Sequence, residues 1–132
     1  VQASKEILHK AIYSIKDGLR IADLGSLIEL EARTRGFGVI RNLAGHGIGR
    51  SLHEAPDNIL NFGDHTNPDC FKLHSVVAIE TFISTRSSKA VEQEDGWTLV
   101  GNKGGFTAQH EHTIVVTEGE PVILTSANNI WA

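Results

Sequence analysis

The feature that most constrains the fold is a change in hydrophobic period about a quarter of the way along the chain. In the first part, apolar side chains recur every three or four residues, which is typical of amphipathic helices. The pattern predicts one helix over residues 3–17 and a second that begins near Asp23 or Ser26 and ends at residues 36–38. From Val39 onward, short β-type runs are broken by Gly, Asn, Asp and Pro.

The β-type region predicts an antiparallel sheet. Its clearest predicted strands lie at residues 76–83, 107–117 and 121–125. Residues 61–69 are predicted to form a polar loop and residues 84–95 a charged loop. No linker or internal repeat divides the chain, so residues 1–132 are predicted to be a single α+β domain with two helices packed on the sheet.

Composition excludes several classes of function. A net charge of −4 without a basic stripe argues against a specific nucleic-acid partner. No apolar run is long enough to span a bilayer, so no membrane role is expected. The single cysteine, Cys70, excludes an intrachain disulfide and suits a reducing compartment, which predicts a cytoplasmic protein. The chain has no methionine and starts inside a helical pattern, so we expect a piece of a longer translation product or a trimmed product.

A glycine-rich stretch, residues 45–56, contains two histidines seven positions apart. On one continuous strand this odd spacing would direct the rings of His46 and His53 to opposite faces. A bulge or bend at the glycines would bring both rings to one cavity, and glycine also allows close backbone approach. The alternative interpretation is a glycine-rich turn with two surface histidines. A dinucleotide-binding fingerprint is not predicted, because Arg50 stands where the last glycine would be needed.

Two glutamates lie inside predicted strands. Glu80 follows four apolar residues, and Glu111 lies between His110 and His112. A buried carboxylate is costly unless it is paired or bound to a metal. Together with His46, the two acids form a mixed oxygen and nitrogen donor set that suits Mn, Fe, Co or Zn. Two alternatives remain open on the residues alone: Glu80 could pair with an arginine in the sheet, and Glu111 could face solvent.

Five stretches, in this order and at this spacing, resemble the type I methionine aminopeptidases over essentially the whole chain. They are Gly45-His46-Gly47-Ile48-Gly49, Leu52-His53-Glu54-Ala55-Pro56, Ala78-Ile79-Glu80, Asp95-Gly96-Trp97 and Ala108-Gln109-His110-Glu111-His112-Thr113. The last stretch favours this family over the Xaa-Pro peptidases and creatinases of the same fold. The resemblance implies half of a pita-bread fold, with two helices packed on a curved antiparallel sheet. In the complete fold, two similar halves surround a dinuclear metal centre, and this chain resembles the C-terminal half.

The resemblance also implies a metal site. His46, Glu80 and Glu111 match metal ligands of the family, and Gln109 would contact those ligands rather than the metal. The implied cofactors are two divalent metal ions, with Co, Mn, Fe and Zn as candidates. Two further aspartate ligands of the family belong to the N-terminal half, and nothing in this chain matches them. That missing half is therefore an implied partner.

The implied activity is removal of the N-terminal methionine from nascent polypeptides. His53 matches the histidine that hydrogen-bonds the scissile amide region and stabilises the tetrahedral intermediate, and Glu80 matches the proton shuttle. These two residues are the predicted catalytic pair. Leu52 and Trp97 match walls of the methionine pocket. The implied substrates are N-terminal methionyl peptides, which the metals would bind through the amine and the carbonyl.

Some residues depart from the family pattern. Thr81 stands where the family usually has Pro, and Ser75-Val76 stands where it usually has Gly-Met. With the two aspartates missing, these departures define an alternative hypothesis, a non-catalytic pita-bread-like binding module that has lost activity. The retained histidine and glutamates favour the hydrolase, complete only when the N-terminal half is present.

Overall fold

Two amphipathic helices begin the chain in the computed structural model, which describes residues 1–127. Helix α1 spans Gln2–Ser14 and helix α2 spans Ile21–Thr34. Both predicted helices are therefore present, although α1 ends before the predicted limit. The final part of the predicted domain, residues 128–132, lies outside the described residues.

The start of α2 differs from the prediction. The N-cap residue is Arg20, not Asp23 or Ser26, and its side chain makes no capping hydrogen bond. The first two helical residues, Ile21 and Ala22, are buried against the rest of the protein. The start of this helix is therefore determined by tertiary packing rather than by a capping side chain. Such packing cannot be read from the local sequence.

Within the described residues, eight strands follow the helices. Five of them form a continuous antiparallel array in the order β3-β2-β4-β7-β8, and β1 pairs with the far end of β4. Strands β5 and β6 form a separate hairpin. The strands are β1 Gly38–Val39, β2 Ala44–Gly47, β3 Glu54–Leu60, β4 Val76–Ser84, β5 Ala90–Glu92, β6 Leu99–Gly101, β7 Thr107–Val115 and β8 Val122–Ile123.

The two longest predicted strands correspond to β4 and β7, and the shorter features are less accurate. The charged segment 84–95, predicted to be a loop, contains β5. The strand predicted at residues 121–125 is only Val122–Ile123, because a 3-10 helix, Leu124–Ser126, follows it. Short exposed segments lack the periodic burial that makes long strands recognisable.

The core lies between one face of the sheet and the two helices. Alternate residues of β4, including Val77, Ile79 and Ile83, are buried together with apolar side chains of α1 and α2. Glu80 and Phe82 therefore point to the opposite face. No helix within residues 1–127 has the length and apolarity needed to cross a membrane. The helices thus support one face of the sheet, and the candidate site occupies the other.

Candidate metal centre

The two glutamates singled out in the sequence lie opposite each other on the central strand pair. Glu80 of β4 is the register partner of Glu111 of β7. Directly opposed side chains on one sheet face are near neighbours, so the two carboxylates repel each other when both are ionised. The Glu80 side chain is only 13% exposed, whereas Glu111 lies at the solvent-exposed part of the same face. The sheet therefore brings together two acids that are far apart in sequence.

His46 brings a nitrogen donor to Glu80 from the neighbouring strand. It pairs with Ala78 of β4, which places its ring on the same face as Glu80. The distance from His46 Nε2 to Glu80 Oε1 is 3.3 Å. The ring is buried, and its Nδ1 donates to the carbonyl of Gly47 at 2.9 Å. In the neutral ring this bond assigns the proton to Nδ1 and leaves the lone pair of Nε2 directed towards Glu80.

The protonation of Glu80 reflects this crowding. Burial and the negative charge of Glu111 raise the pKa of the Glu80 carboxyl from 4.5 to about 7. His46 and a hydrogen bond from Gln109 have smaller effects, which lower this pKa. A carboxylate and an imidazole lone pair that face each other need a positive charge between them. In the chain alone a proton supplies it, and a divalent cation would supply it more strongly. The donor set therefore fits a divalent metal.

Gln109 lies between the two acids. Its Nε2 donates to Glu80 Oε2 at 3.3 Å and to Glu111 Oε2 at 3.4 Å. Gln109 precedes Glu111 by two residues on β7, so both side chains occupy the same face. The amide thus keeps the two carboxylates together, and its role towards a bound metal stays a prediction.

The candidate ligands lie near one another but are not arranged as a closed cage. Among residues 1–127, no group of three His, Cys, Asp or Glu side chains is positioned to hold a metal ion. His46 approaches Glu80, and Gln109 links Glu80 to Glu111. These contacts satisfy the polar atoms within the chain. A metal would have to replace them, with the side chains turning towards a common point.

The two histidines of the glycine-rich stretch meet as the sequence predicts. The ring centroids of His46 and His53 are 4.0 Å apart. The pairing of β2 with β3 is irregular between Gly45 and Gly47, and β2 ends at Gly47, so no continuous strand separates the rings. Of the two, only His53 is exposed. The alternative of two surface histidines is therefore wrong for His46.

The glycines beside His46 are required for close approach rather than for an unusual backbone conformation. Neither Gly45 nor Gly47 has a positive φ. A Cβ added to Gly47 would overlap the backbone carbonyl of Ala55, and one added to Gly45 would overlap the carbonyl of Ala78. Strands β3 and β4 thus approach His46 from both sides, which only glycine at these two positions permits.

The two predicted pocket residues are exposed. Leu52 is 70% exposed and lies beside His53 in the chain, and Trp97 is 81% exposed. Trp97 lies in the turn between β5 and β6, where Asp95 Oδ1 accepts hydrogen bonds from the backbone of Trp97 and Thr98. The structure does not bury either side chain against the ligands, so their roles in a substrate pocket stay predictions.

Comparison with known proteins identifies the fold to which this site belongs. Residues 1–118 match metallopeptidase family M24. The chain belongs to that family. Membership in a metallopeptidase family implies use of a divalent metal, in agreement with the donor set of His46, Glu80 and Glu111.

Several M24 relatives are methionine aminopeptidases. The chain is 46% identical over 124 residues to methionine aminopeptidase 2 of Bacillus subtilis, covering 94% of this chain and 50% of the relative. It is 34% identical over 119 residues to a methionine aminopeptidase of Staphylococcus epidermidis, covering 90% of this chain and 47% of the relative. The chain thus spans about half the length of the curated relatives it matches.

Solved structures confirm the predicted architecture. Methionine aminopeptidase of Thermotoga maritima matches with a TM-score of 0.88 and 41% identity, over 95% of this chain and 50% of that one. The prolidase of Pyrococcus furiosus matches with a TM-score of 0.67 and 22% identity, over 94% of this chain and 31% of that one, which shows the fold alone. The chain is half of a pita-bread fold, with two helices on a curved antiparallel sheet.

A buried hydroxyl network lies behind the acids of the M24 sheet, and sequence reasoning did not find it. Ser4 of α1 hydrogen-bonds Thr81 Oγ1 at 2.8 Å and His110 Nδ1 at 2.9 Å. Thr81 and His110 are register partners next to the Glu80–Glu111 pair. Burial is the main cause that lowers the pKa of His110, which favours the neutral ring. Thr81, which stands where the family usually has Pro, could have indicated this network, because a polar residue inside an apolar strand requires a hydrogen-bond partner.

Thr81→Val is expected to destabilise the chain by about 1 to 2 kcal/mol, because it removes a hydroxyl that bonds buried polar groups. The free energy of unfolding measured in urea tests this value. Thr107→Val, on the exposed start of β7, is the matched control and should change stability little. Equal effects of the two substitutions would contradict a stabilising role for the network.

Proposed function

We propose that this chain is the C-terminal half of a methionine aminopeptidase catalytic domain, which removes the N-terminal methionine from nascent polypeptides. One observation carries the proposal: His46, Glu80 and Glu111 lie together on the face of an M24 sheet that is opposite the two helices. The 46% identity to a methionine aminopeptidase supports the choice of substrate. A reducing, cytoplasmic location follows from this role and from the single cysteine.

His46, Glu80 and Glu111 are the residues of this chain that would hold the metal. Two divalent ions, drawn from Co, Mn, Fe or Zn, would polarise the substrate carbonyl and activate water when bound. The chain supplies one nitrogen donor and two carboxylates. The N-terminal half of the domain would supply the remaining ligands, and it would cover the face on which Glu111 and Gln109 are now exposed.

The other site residues act on the substrate. His53 is exposed, and its ring lies against that of His46, so an N–H of His53 can donate to the oxygen of the scissile carbonyl as charge develops there. Glu80 moves a proton at its carboxylate oxygens from the attacking water to the leaving amine. Leu52 and Trp97 offer apolar surface for the methionine side chain. In the chain alone that surface faces water.

The proposal is tested by the release of methionine from a Met-Ala-Ser peptide. The chain is mixed with a fragment that carries the N-terminal half, in the presence of Co²⁺ or Mn²⁺. Release is expected from the mixture, and it should be lost with Glu111→Gln, which keeps the shape of the side chain but removes its charge. Stoichiometric metal binding without any release, under all the metals, would instead favour the non-catalytic binding module.

A further inference from the structure

The strand pairing along one edge of β4 is interrupted beside Glu80. On one edge, β4 pairs with β1 at Ile83 and with β2 at Ala78. Between these pairs, residues 41–43 form a turn that leaves the sheet. Within residues 1–127, neither β1 nor β2 is register-paired with residues 79–82 of this edge. Ile40, directly after β1, still donates its N–H to the carbonyl of Phe82 at 2.9 Å. The gap in strand pairing therefore lies at the carbonyl of Glu80 and the N–H of Phe82.

The side chain of Asn61 fills this gap. Its Nδ2 donates to the carbonyl of Glu80 at 2.8 Å, and its Oδ1 accepts from the backbone N–H of Phe82 at 2.7 Å. Asn61 is fully buried, at 0% exposure. A carboxamide carries the same donor and acceptor as a peptide group, so Asn61 takes the place of one residue of the absent strand.

Contacts on either side of Asn61 fix the 41–43 turn and the segment that follows Asn61. The Arg41 guanidinium stacks 3.8 Å from the ring centre of Phe62 and bonds Glu29 of α2 at 2.8 Å. These contacts attach the 41–43 turn to α2 and to the segment that follows Asn61. A Cβ on Gly25 of α2 would overlap the carbonyl of Phe62, so the helix backbone lies directly against the segment that follows Asn61.

We propose that Asn61 is a positioning residue for the candidate metal ligand Glu80. By fixing the carbonyl of Glu80 and the amide of Phe82, it holds the segment of β4 whose side chain must reach both His46 and Glu111. Loss of the carboxamide leaves two buried backbone groups unpaired, and β4 regains them only by moving. This inference rests on the proposed metal site, because it assigns Asn61 a function through Glu80.

Asn61→Ala is expected to weaken Co²⁺ binding by about 10- to 100-fold, the range found when a residue that orients a metal ligand is lost. Affinity is measured by calorimetry on the intact polypeptide that carries residues 1–132, with far-UV circular dichroism to confirm folding. The matched control is Asn42→Ala. Asn42 makes the same pair of bonds to the backbone N–H and carbonyl of Ala90, both at 2.8 Å, on the separate hairpin. The control should leave Co²⁺ affinity unchanged.

Amide hydrogen exchange at Phe82 tests the same inference without metal. The wild-type Phe82 amide should be protected like its neighbour Ile83, and Asn61→Ala should remove that protection. Rapid Phe82 exchange in the wild-type chain, or equal Co²⁺ affinity of Asn61→Ala and wild type, would overturn the inference. If Asn61→Ala does not fold, the exchange rate of the Phe82 amide in the wild-type chain tests the inference: protection supports it, and rapid exchange contradicts it. A wild-type chain that binds no Co²⁺ would refute the metal site, whereas loss of Phe82 protection in Asn61→Ala would still show that Asn61 holds β4.

Discussion

Glu80→Gln is expected to abolish metal binding at the site and to make the metal-free chain more stable, relative to wild type, as the pH rises from 4.5 to above 7. The first effect follows because Glu80 lies between His46 and Glu111, so its loss removes the central donor. Affinity for Co²⁺ should fall by more than about 100-fold. The second effect follows because the ionised Glu80 is unfavourable in the folded chain, where its pKa is about 7 instead of 4.5.

This difference between the folded and unfolded pKa of Glu80 determines whether the stability of the chain rises or falls with pH. Because the folded chain binds the Glu80 proton more tightly than the unfolded chain, the contribution to stability is complete below pH 4.5 and is lost as the pH rises through 7. The difference between 4.5 and about 7 sets an upper limit of about 3 kcal/mol. Screening by water at the open face reduces the expected value to about 1 to 2 kcal/mol.

Urea unfolding in the presence of EDTA measures this effect. Relative to wild type, Glu80→Gln should gain about 1 to 2 kcal/mol in free energy of unfolding between pH 4.5 and pH 7.5. Glu118→Gln, on the exposed segment after β7, is the control and should show no such gain. A difference between Glu80→Gln and wild type that stays constant across this pH range would contradict the raised pKa.

Gly47→Ala is expected to cost about 1 to 3 kcal/mol of stability and to weaken metal binding. The added methyl group would overlap the carbonyl of Ala55, and a backbone atom cannot move aside as a side chain can. Strand β3 would have to separate from β2, which would displace His46, whose Nδ1 bonds the Gly47 carbonyl. Chemical denaturation and Co²⁺ calorimetry measure the two effects.

Gly38→Ala provides the comparison for Gly47→Ala. A Cβ at Gly38 meets no atom within 4 Å, and its backbone has no positive φ. The control should therefore be neutral or slightly stabilising. If both substitutions had the same small effect, the close approach of β3 to His46 would not be a requirement of the site.

The long elements could be predicted from sequence because their apolar periodicity is strong. Strand β4 combines a continuous apolar run with one acid, and α1 shows a clear helical stripe. The start of α2 could not be predicted from its capping residues, since buried Ile21 and Ala22 determine it. Strand β5 was missed because it is short and largely exposed.

Within the site, features that depend on neighbouring residues could be predicted from the sequence, whereas features that depend on contacts between distant segments could not. The odd spacing of His46 and His53, with glycines between them, correctly required a break in the strand. The register that sets Glu80 against Glu111 depends on how the chain returns after the β5–β6 hairpin, which no local pattern reports. Asn61 is a loop residue by composition, and its burial arises only from a gap between distant strands.

The most direct test of the metal site is an anomalous diffraction map from crystals of the polypeptide soaked in Mn²⁺. We expect a peak on the sheet face opposite the helices, within about 2.0 to 2.3 Å of His46 Nε2 and of carboxylate oxygens of Glu80 and Glu111. A peak elsewhere, or none at saturating Mn²⁺, would contradict the claim that these three residues form a metal site.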